Sequence, residues 1–188
     1  MSGVANEPKR KEEGMSNLAF RLMSIEFSIQ DLFMPGIDKR VDSFGIRESM
    51  TVVDDGCGPG RYTIRFARLA GASGKVYAVD IQPLAVETIK SKAAKEHLQN
   101  VTPLVAQGYN SGVPDHAADI VCALDMFHGI KKPEDFLTEL KRITKPDGTL
   151  IIDDGHQARE ATKAKILASG CWIISAETPD HLTCTPAP

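Results

Sequence analysis

The run Val52-Val53-Asp54-Asp55-Gly56-Cys57-Gly58-Pro59-Gly60 closes an apolar stretch with two acids and three alternating glycines. About twenty residues further on, Val76-Tyr77-Ala78-Val79-Asp80 closes a second apolar stretch with another acid. Glycine lets a chain turn sharply out of a strand and lets a ligand approach the backbone. A helix beginning near Arg61 would point its unsatisfied amides at that ligand. A carboxylate at the end of the second strand can accept hydrogen bonds from the two hydroxyls of a ribose. Loop and spaced acid together predict a nucleoside site at the carboxyl ends of two parallel strands.

The same residues narrow the nucleoside. A dinucleotide fingerprint needs G-x-G-x-x-G. Counted from Gly56 the sixth position is Arg61, and counted from Gly58 it is Thr63, so the glycine that packs the pyrophosphate helix is missing. No G-K-[S/T] follows the glycines, which excludes a phosphate-binding P-loop. Asp54 would repel a phosphate and attract a cation. S-adenosylmethionine, with its sulfonium and ammonium groups, meets that description. An NAD(P)-dependent reductase on a related nucleotide-binding fold is the alternative.

The elements that must position these residues alternate along the chain. Strands are predicted over 50–55, 75–80, 101–106, 119–125 and 149–154, and near 171–177 and 181–185. Helices are predicted over 61–70, 83–97, 133–144 and 157–169, with a turn at Lys145-Pro146-Asp147-Gly148. Strand runs that do not alternate polar and apolar residues, such as TVVD and LIID, belong in the middle of a parallel sheet covered on both faces. A further helix is predicted over 16–34, from Ser16 as N-cap to Pro35-Gly36 as stop. It carries too many apolar residues for one stripe, which suits a cover over the sheet edge or the pocket, or a homodimer surface. Residues 1–14 read as a disordered lead-in to a single domain over 15–188.

Composition bounds the rest. The 188 residues suffice for one compact core, with 42% apolar and 25% charged residues. A net charge of −3 gives no general attraction to nucleic acid or to an anionic membrane, so neither is expected as a partner. No stretch has the length of a transmembrane helix, and residues 1–14 lack the apolar core of a signal peptide. Cys57, Cys122, Cys171 and Cys184 show neither C-x-x-C nor His–Cys zinc spacing. They read as free thiols of a cytoplasmic protein, with Cys57 filling a small-residue place in the glycine loop.

VVDDGCGPG, VYAVD and DIVCALDMFHGIKKPEDFLTELKRITKPDGTLIIDD together resemble the motifs of class I S-adenosylmethionine-dependent methyltransferases, over about residues 45–155. The resemblance implies an α/β, Rossmann-like three-layer sandwich. Its mostly parallel seven-stranded sheet would run in the order 3-2-1-4-5-7-6, with strand 7 antiparallel. The runs around Trp172 and Leu182 would form the closing hairpin. The resemblance also implies a set of roles. Asp54, Gly56, Cys57, Gly58 and Gly60 would face the methionine part of the cofactor. Asp80 would hold the ribose, and Ile81 would pack on adenine. Gln107 would take the adenine amino group in place of the family's usual acid, beside a close backbone approach at Gly108. Residues 123–127, Asp125 among them, would lead to the methyl group.

Chemistry beyond the cofactor rests on fewer residues. His128, just past the fourth strand, is the candidate general base, and His156 is a second histidine near the cleft. Asp125, Asp153 and Asp154 fall at the ends of two neighbouring strands. Metal-dependent catechol-type O-methyltransferases look similar there, which offers a Mg²⁺ site as an alternative. That family has an amide where this chain has Asp154. The plainer reading, in which no metal is needed, has Asp153 and Asp154 capping the following turn and Asp125 meeting the cofactor loop. The expected acceptor is a small molecule, covered by the 16–34 helix and the 109–117 loop.

Overall fold

The computed structural model describes residues 16–33 and 36–188, with side chains for all of these but 23 and 27–33. The lead-in expected over 1–14 and the Pro35 stop lie outside the described residues. Seven strands form one sheet: β1 (Thr51–Asp55), β2 (Lys75–Asp80), β3 (Val101–Val105), β4 (Ala118–Ala123), β5 (Thr144–Ile152), β6 (Trp172–Glu177) and β7 (Leu182–Pro186). Among the described residues six α-helices accompany them: α1 (Asn17–Phe33), α2 (Gly36–Asp42), α3 (Thr63–Ala70), α4 (Pro83–Lys95), α5 (Pro133–Ile143) and α6 (Arg159–Ser169).

The strand order is β3-β2-β1-β4-β5-β7-β6. β1 to β5 pair in parallel, and β7 runs antiparallel to both β5 and β6. This is the Rossmann-like order that the resemblance implies, and α3, α4 and α5 make the crossovers from β1 to β2, β2 to β3 and β4 to β5.

Period two along each central strand divides the core between two faces. Val52, Val76, Cys122 and Ile151 point to one face, where Ile37 and Val41 of α2 and Phe66, Ala67 and Ala70 of α3 cover them. Val53, Val79, Val121 and Ile152 point to the other, under Phe136, Leu137, Leu140 and Ile143 of α5 and Ile166 of α6. The buried positions of α3 (63, 66, 67 and 70) and of α5 (136, 137, 140 and 143) follow the spacing of a single helical stripe. Trp172 packs in the closing hairpin, where its indole Nε1 donates to the Leu137 carbonyl at 3.0 Å.

Three local features depart from the sequence reading. α2 was not expected, since its two buried residues, Ile37 and Val41, are its whole apolar signature. The Lys145–Gly148 turn is instead a bulge inside a longer β5: Ala118 pairs with Thr144, yet Ile120 pairs with Thr149, so the intervening residues leave the ladder. α3 starts at Thr63 rather than near Arg61, after the glycine loop has turned. α1 agrees in start and length, and Ser16 Oγ accepts from the Ala19 amide at 3.3 Å, the bond of an N-cap.

Candidate functional site

β1 lies between β2 and β4, so the strand order reverses between β1 and β4, where an α/β sheet opens a crevice at its carboxyl edge. The glycine loop forms one wall. Gly56 and Cys57 both donate their amides to the Val79 carbonyl, at 2.8 and 3.0 Å, and Gly60 closes a turn onto the Cys57 carbonyl at 2.9 Å. These bonds hook the loop over the end of β2. Gly56 has φ +81°, and a Cβ there would stand 2.6 Å from Met126 Cγ, so both backbone and space require glycine.

Asp80 sits at the end of β2 with both carboxylate oxygens engaged. Gly58 N–H donates to Oδ2 at 2.9 Å, and Gln82 N–H donates to Oδ1 at 2.8 Å. The amides fix the plane of the carboxylate.

A cavity of about 300 Å³ opens between these groups. Gly56, Cys57, Gly58, Asp80, Ile81, Asp125 and His128 line it, so the structure brings seven of the expected site residues to one cleft. Gly60, Gln107 and Gly108 lie outside its walls. Gln107 follows β3 one strand further along, joined to the site through the Ala106 amide on the Asp80 carbonyl at 2.9 Å. Asp54 is 1% exposed and also stands behind the wall, where Thr63 Oγ1 donates to it at 2.5 Å and ties the start of α3 to β1. Burial pushes the Asp54 carboxyl up to about 7, with the Asp80 charge adding to the rise against the Thr63 hydrogen bond.

His128 lies in a 3-10 turn after β4, at Phe127–Gly129. Its Nδ1 is buried with no hydrogen-bond partner, and it presses on Gly155, where a Cβ would meet it at 2.1 Å. The His156 ring packs edge-on, 4.8 Å away. Burial lowers the His128 pKa, and the nearby His156 and Lys165 lower it further, which favours the neutral imidazole.

Asp125, Asp153 and Asp154 do not converge as a metal-binding set. Asp153 Oδ2 accepts from Arg40 at 2.5 Å, while its Oδ1 accepts from the Asp125 amide at 2.8 Å and the Gly155 amide at 3.1 Å. Asp154 turns to Arg159, 2.7 Å away. Asp125 accepts from the Tyr62 hydroxyl at 2.9 Å. The charge that a Mg²⁺ ion would balance is met by two guanidinium groups, and Asp153 caps the following turn. Among the described residues no group of three His, Cys, Asp or Glu side chains is placed to hold a metal ion.

Among the residues here that escaped the sequence reading are Phe20 of α1, Asp55, Tyr62 and, behind them, Arg40. Asp55 was legible as the second acid of its pair, whereas Phe20 and Arg40 reach the site only through the packing of α1 and α2.

The chain matches the family described as "Methyltransferase domain" over residues 46–182. This chain belongs to the class I S-adenosylmethionine-dependent methyltransferases. A solved S-adenosylmethionine-dependent methyltransferase from Aquifex aeolicus is 27% identical, with a TM-score of 0.73 over 84% of this chain and 95% of that one. A second structure, from Methanococcus maripaludis, shares the fold at 16% identity, with a TM-score of 0.74 over 98% and 97% of the two chains. A ubiquinone/menaquinone biosynthesis C-methyltransferase of Yersinia pestis is 26% identical over 157 residues, or 80% of this chain. The methyltransferase chain spans 62% of the length of that curated relative.

The residues of the cleft fit the cofactor that the family implies. The glycine corner leaves backbone exposed where side chains would crowd a ligand, Asp80 presents an oriented acceptor for a diol, and Ile81 supplies an apolar surface beside it.

Proposed function

We propose that this methyltransferase moves a methyl group from S-adenosylmethionine to a small, largely apolar organic acceptor, without a metal. The observation that carries the reading is Asp80, clamped by two backbone amides at the lip of a cavity walled by the glycine corner. When bound, the cofactor supplies a methyl group already activated on a sulfonium, so the protein's task is alignment and exclusion of water.

In this reading Asp80 takes the ribose hydroxyls and Ile81 packs on adenine. Gln107 and Gly108 meet the adenine edge from the loop after β3, and Gly56 to Gly60 pass beneath the methionine part. Asp54 acts from behind, holding the loop to α3. Phe20, Leu124, Met126 and Ile130 shut water out of the cleft and favour an apolar acceptor. His128 lines the same cavity in an environment that favours its neutral form, which suits it to accept a proton from the acceptor as the methyl group arrives. The Yersinia relative's name, a C-methyltransferase of ubiquinone/menaquinone biosynthesis, supports a small organic acceptor.

Four free cysteines support a reducing, cytoplasmic setting. Leu18, Leu22 and Ile25 remain exposed on α1, with Leu18 at 69%, which supports a homodimer through that helix. No described helix is long and apolar enough to cross a membrane.

The test is to supply methyl-labelled S-adenosylmethionine with a panel of small acceptors, with and without a chelator. The reading expects label in a small organic product, undiminished by chelator and suppressed by S-adenosylhomocysteine. Transfer that stops in chelator and returns with Mg²⁺ contradicts the metal-free reading.

A further inference from the structure

Arg40 belongs to α2, outside the residues that the family match covers, yet its guanidinium reaches the residues that follow β4 and β5. Nη1 donates to the Tyr62 hydroxyl at 2.9 Å and stands 3.9 Å from Asp125 Oδ1. Nη2 donates to Asp153 Oδ2 at 2.5 Å and to the Asp180 carbonyl at 3.2 Å. The group therefore joins the ends of β4 and β5, the approach to α3 and the turn before β7. Its Nε is buried with no hydrogen-bond partner.

Two of these partners face the cavity. Tyr62 and Asp125 line it directly, and Asp153 holds the Asp125 amide. Asp125 has φ +60°, a conformation that a non-glycine residue keeps only when its surroundings impose it. The two carboxylates repel each other, and Arg40 lies between them with opposite charge. Tyr62 stays a neutral donor, because burial and the Asp125 charge raise its pKa.

We propose that Arg40 is a positioning residue for the cofactor site: it acts through Tyr62, Asp125 and Asp153 to hold the 124–126 wall in its binding geometry. The proposal rests on the cofactor reading above. Removing the guanidinium leaves two carboxylates facing each other, and the backbone of Asp125 is the part able to relax. The wall that meets the methionine end of the cofactor then shifts, although Arg40 itself is not among the residues that line the cavity.

Arg159 supplies a control. It is as sheltered as Arg40, with both side chains 19% exposed, and it bonds Asp154, Glu177 and the carbonyls of Thr178 and Pro179. None of those residues lines the cavity. The experiment is calorimetric titration of S-adenosylhomocysteine into the wild-type chain, Arg40→Met, Arg40→Lys and Arg159→Met, each with its thermal transition recorded. The expected result is a Kd raised tenfold or more in Arg40→Met and by less in Arg40→Lys, which keeps the charge but cannot serve all the partners. Arg159→Met stays within twofold of wild type. Wild-type affinity in Arg40→Met, or an equal loss in Arg159→Met, overturns the positioning role and leaves the cofactor reading standing. If Arg40→Met does not fold, Arg40→Lys decides: a threefold or larger rise supports the role, and wild-type affinity overturns it. A wild-type chain that does not bind S-adenosylhomocysteine overturns the cofactor reading and this proposal with it.

Discussion

A carboxylate earns a ligand-binding role by being aimed before the ligand arrives, and at Asp80 the amides of Gly58 and Gln82 do the aiming. On the proposed reading, replacing Asp80 by alanine removes the acceptor for the ribose diol, and it takes from the Gly58 and Gln82 amides the carboxylate they bond. S-adenosylhomocysteine binding is expected to weaken by about 1–3 kcal/mol, read by calorimetry, with the thermal transition retained. His128 makes a different prediction. Its folded pKa lies below the ordinary histidine value, because burial disfavours the charged ring, so the basic form persists to lower pH than in a free histidine. The rate of methyl transfer should rise with pH on the acid side and level off at a lower pH than an ordinary histidine would give. His128→Asn should lower that rate by about 10²–10⁴-fold and leave S-adenosylhomocysteine affinity unchanged, whereas a wild-type rate in the variant removes the base role.

At the scale of elements, the site was legible where local pattern decides geometry. TVVDD and KVYAVD carry no alternation because helices cover both faces, and their terminal acids fall beside the glycine loop as spacing predicts. The stripes of α3 and α5 announce themselves every third or fourth residue. Where distant residues decide, the sequence was silent. Arg40 meets Asp153 across 113 positions, and no periodicity in GIDKRVD foretells it. The β5 bulge was hidden because KPDG has the chemistry of a turn, and only pairing with β4 on both sides makes it an interruption of a strand. Gly148 fits there because a Cβ would stand 2.7 Å from Thr144 Cγ2 and 2.9 Å from the Ala118 carbonyl oxygen. Trp172 ties the closing hairpin to α5 by one buried hydrogen bond to the Leu137 carbonyl. Trp172→Phe should therefore cost about 0.5–1.5 kcal/mol in a denaturant titration, from the indole hydrogen bond that the Leu137 carbonyl accepts besides its bond within α5. A loss below a few tenths of a kcal/mol would show that this hydrogen bond does not hold the hairpin to α5.

At the scale of the molecule, the topology accounts for the place of the site and the N-terminal helices for its closure. The order reversal between β1 and β4 opens the crevice, and α1 and α2 bring Phe20 to its wall and Arg40 behind it. The acids around the crevice differ in their places. Asp54 and Asp153 are tied into the frame, and Asp125 and Asp80 line the cavity. That division suits a nucleoside carrying positive charge and gives no cradle for a pyrophosphate, which the Arg61 and Thr63 positions also deny. The most direct measurement is a pair of calorimetric titrations of the wild-type chain, one with S-adenosylhomocysteine and one with NADH. The account predicts saturable binding of S-adenosylhomocysteine at one site per chain and no heat of binding from NADH; binding of NADH alone would contradict it.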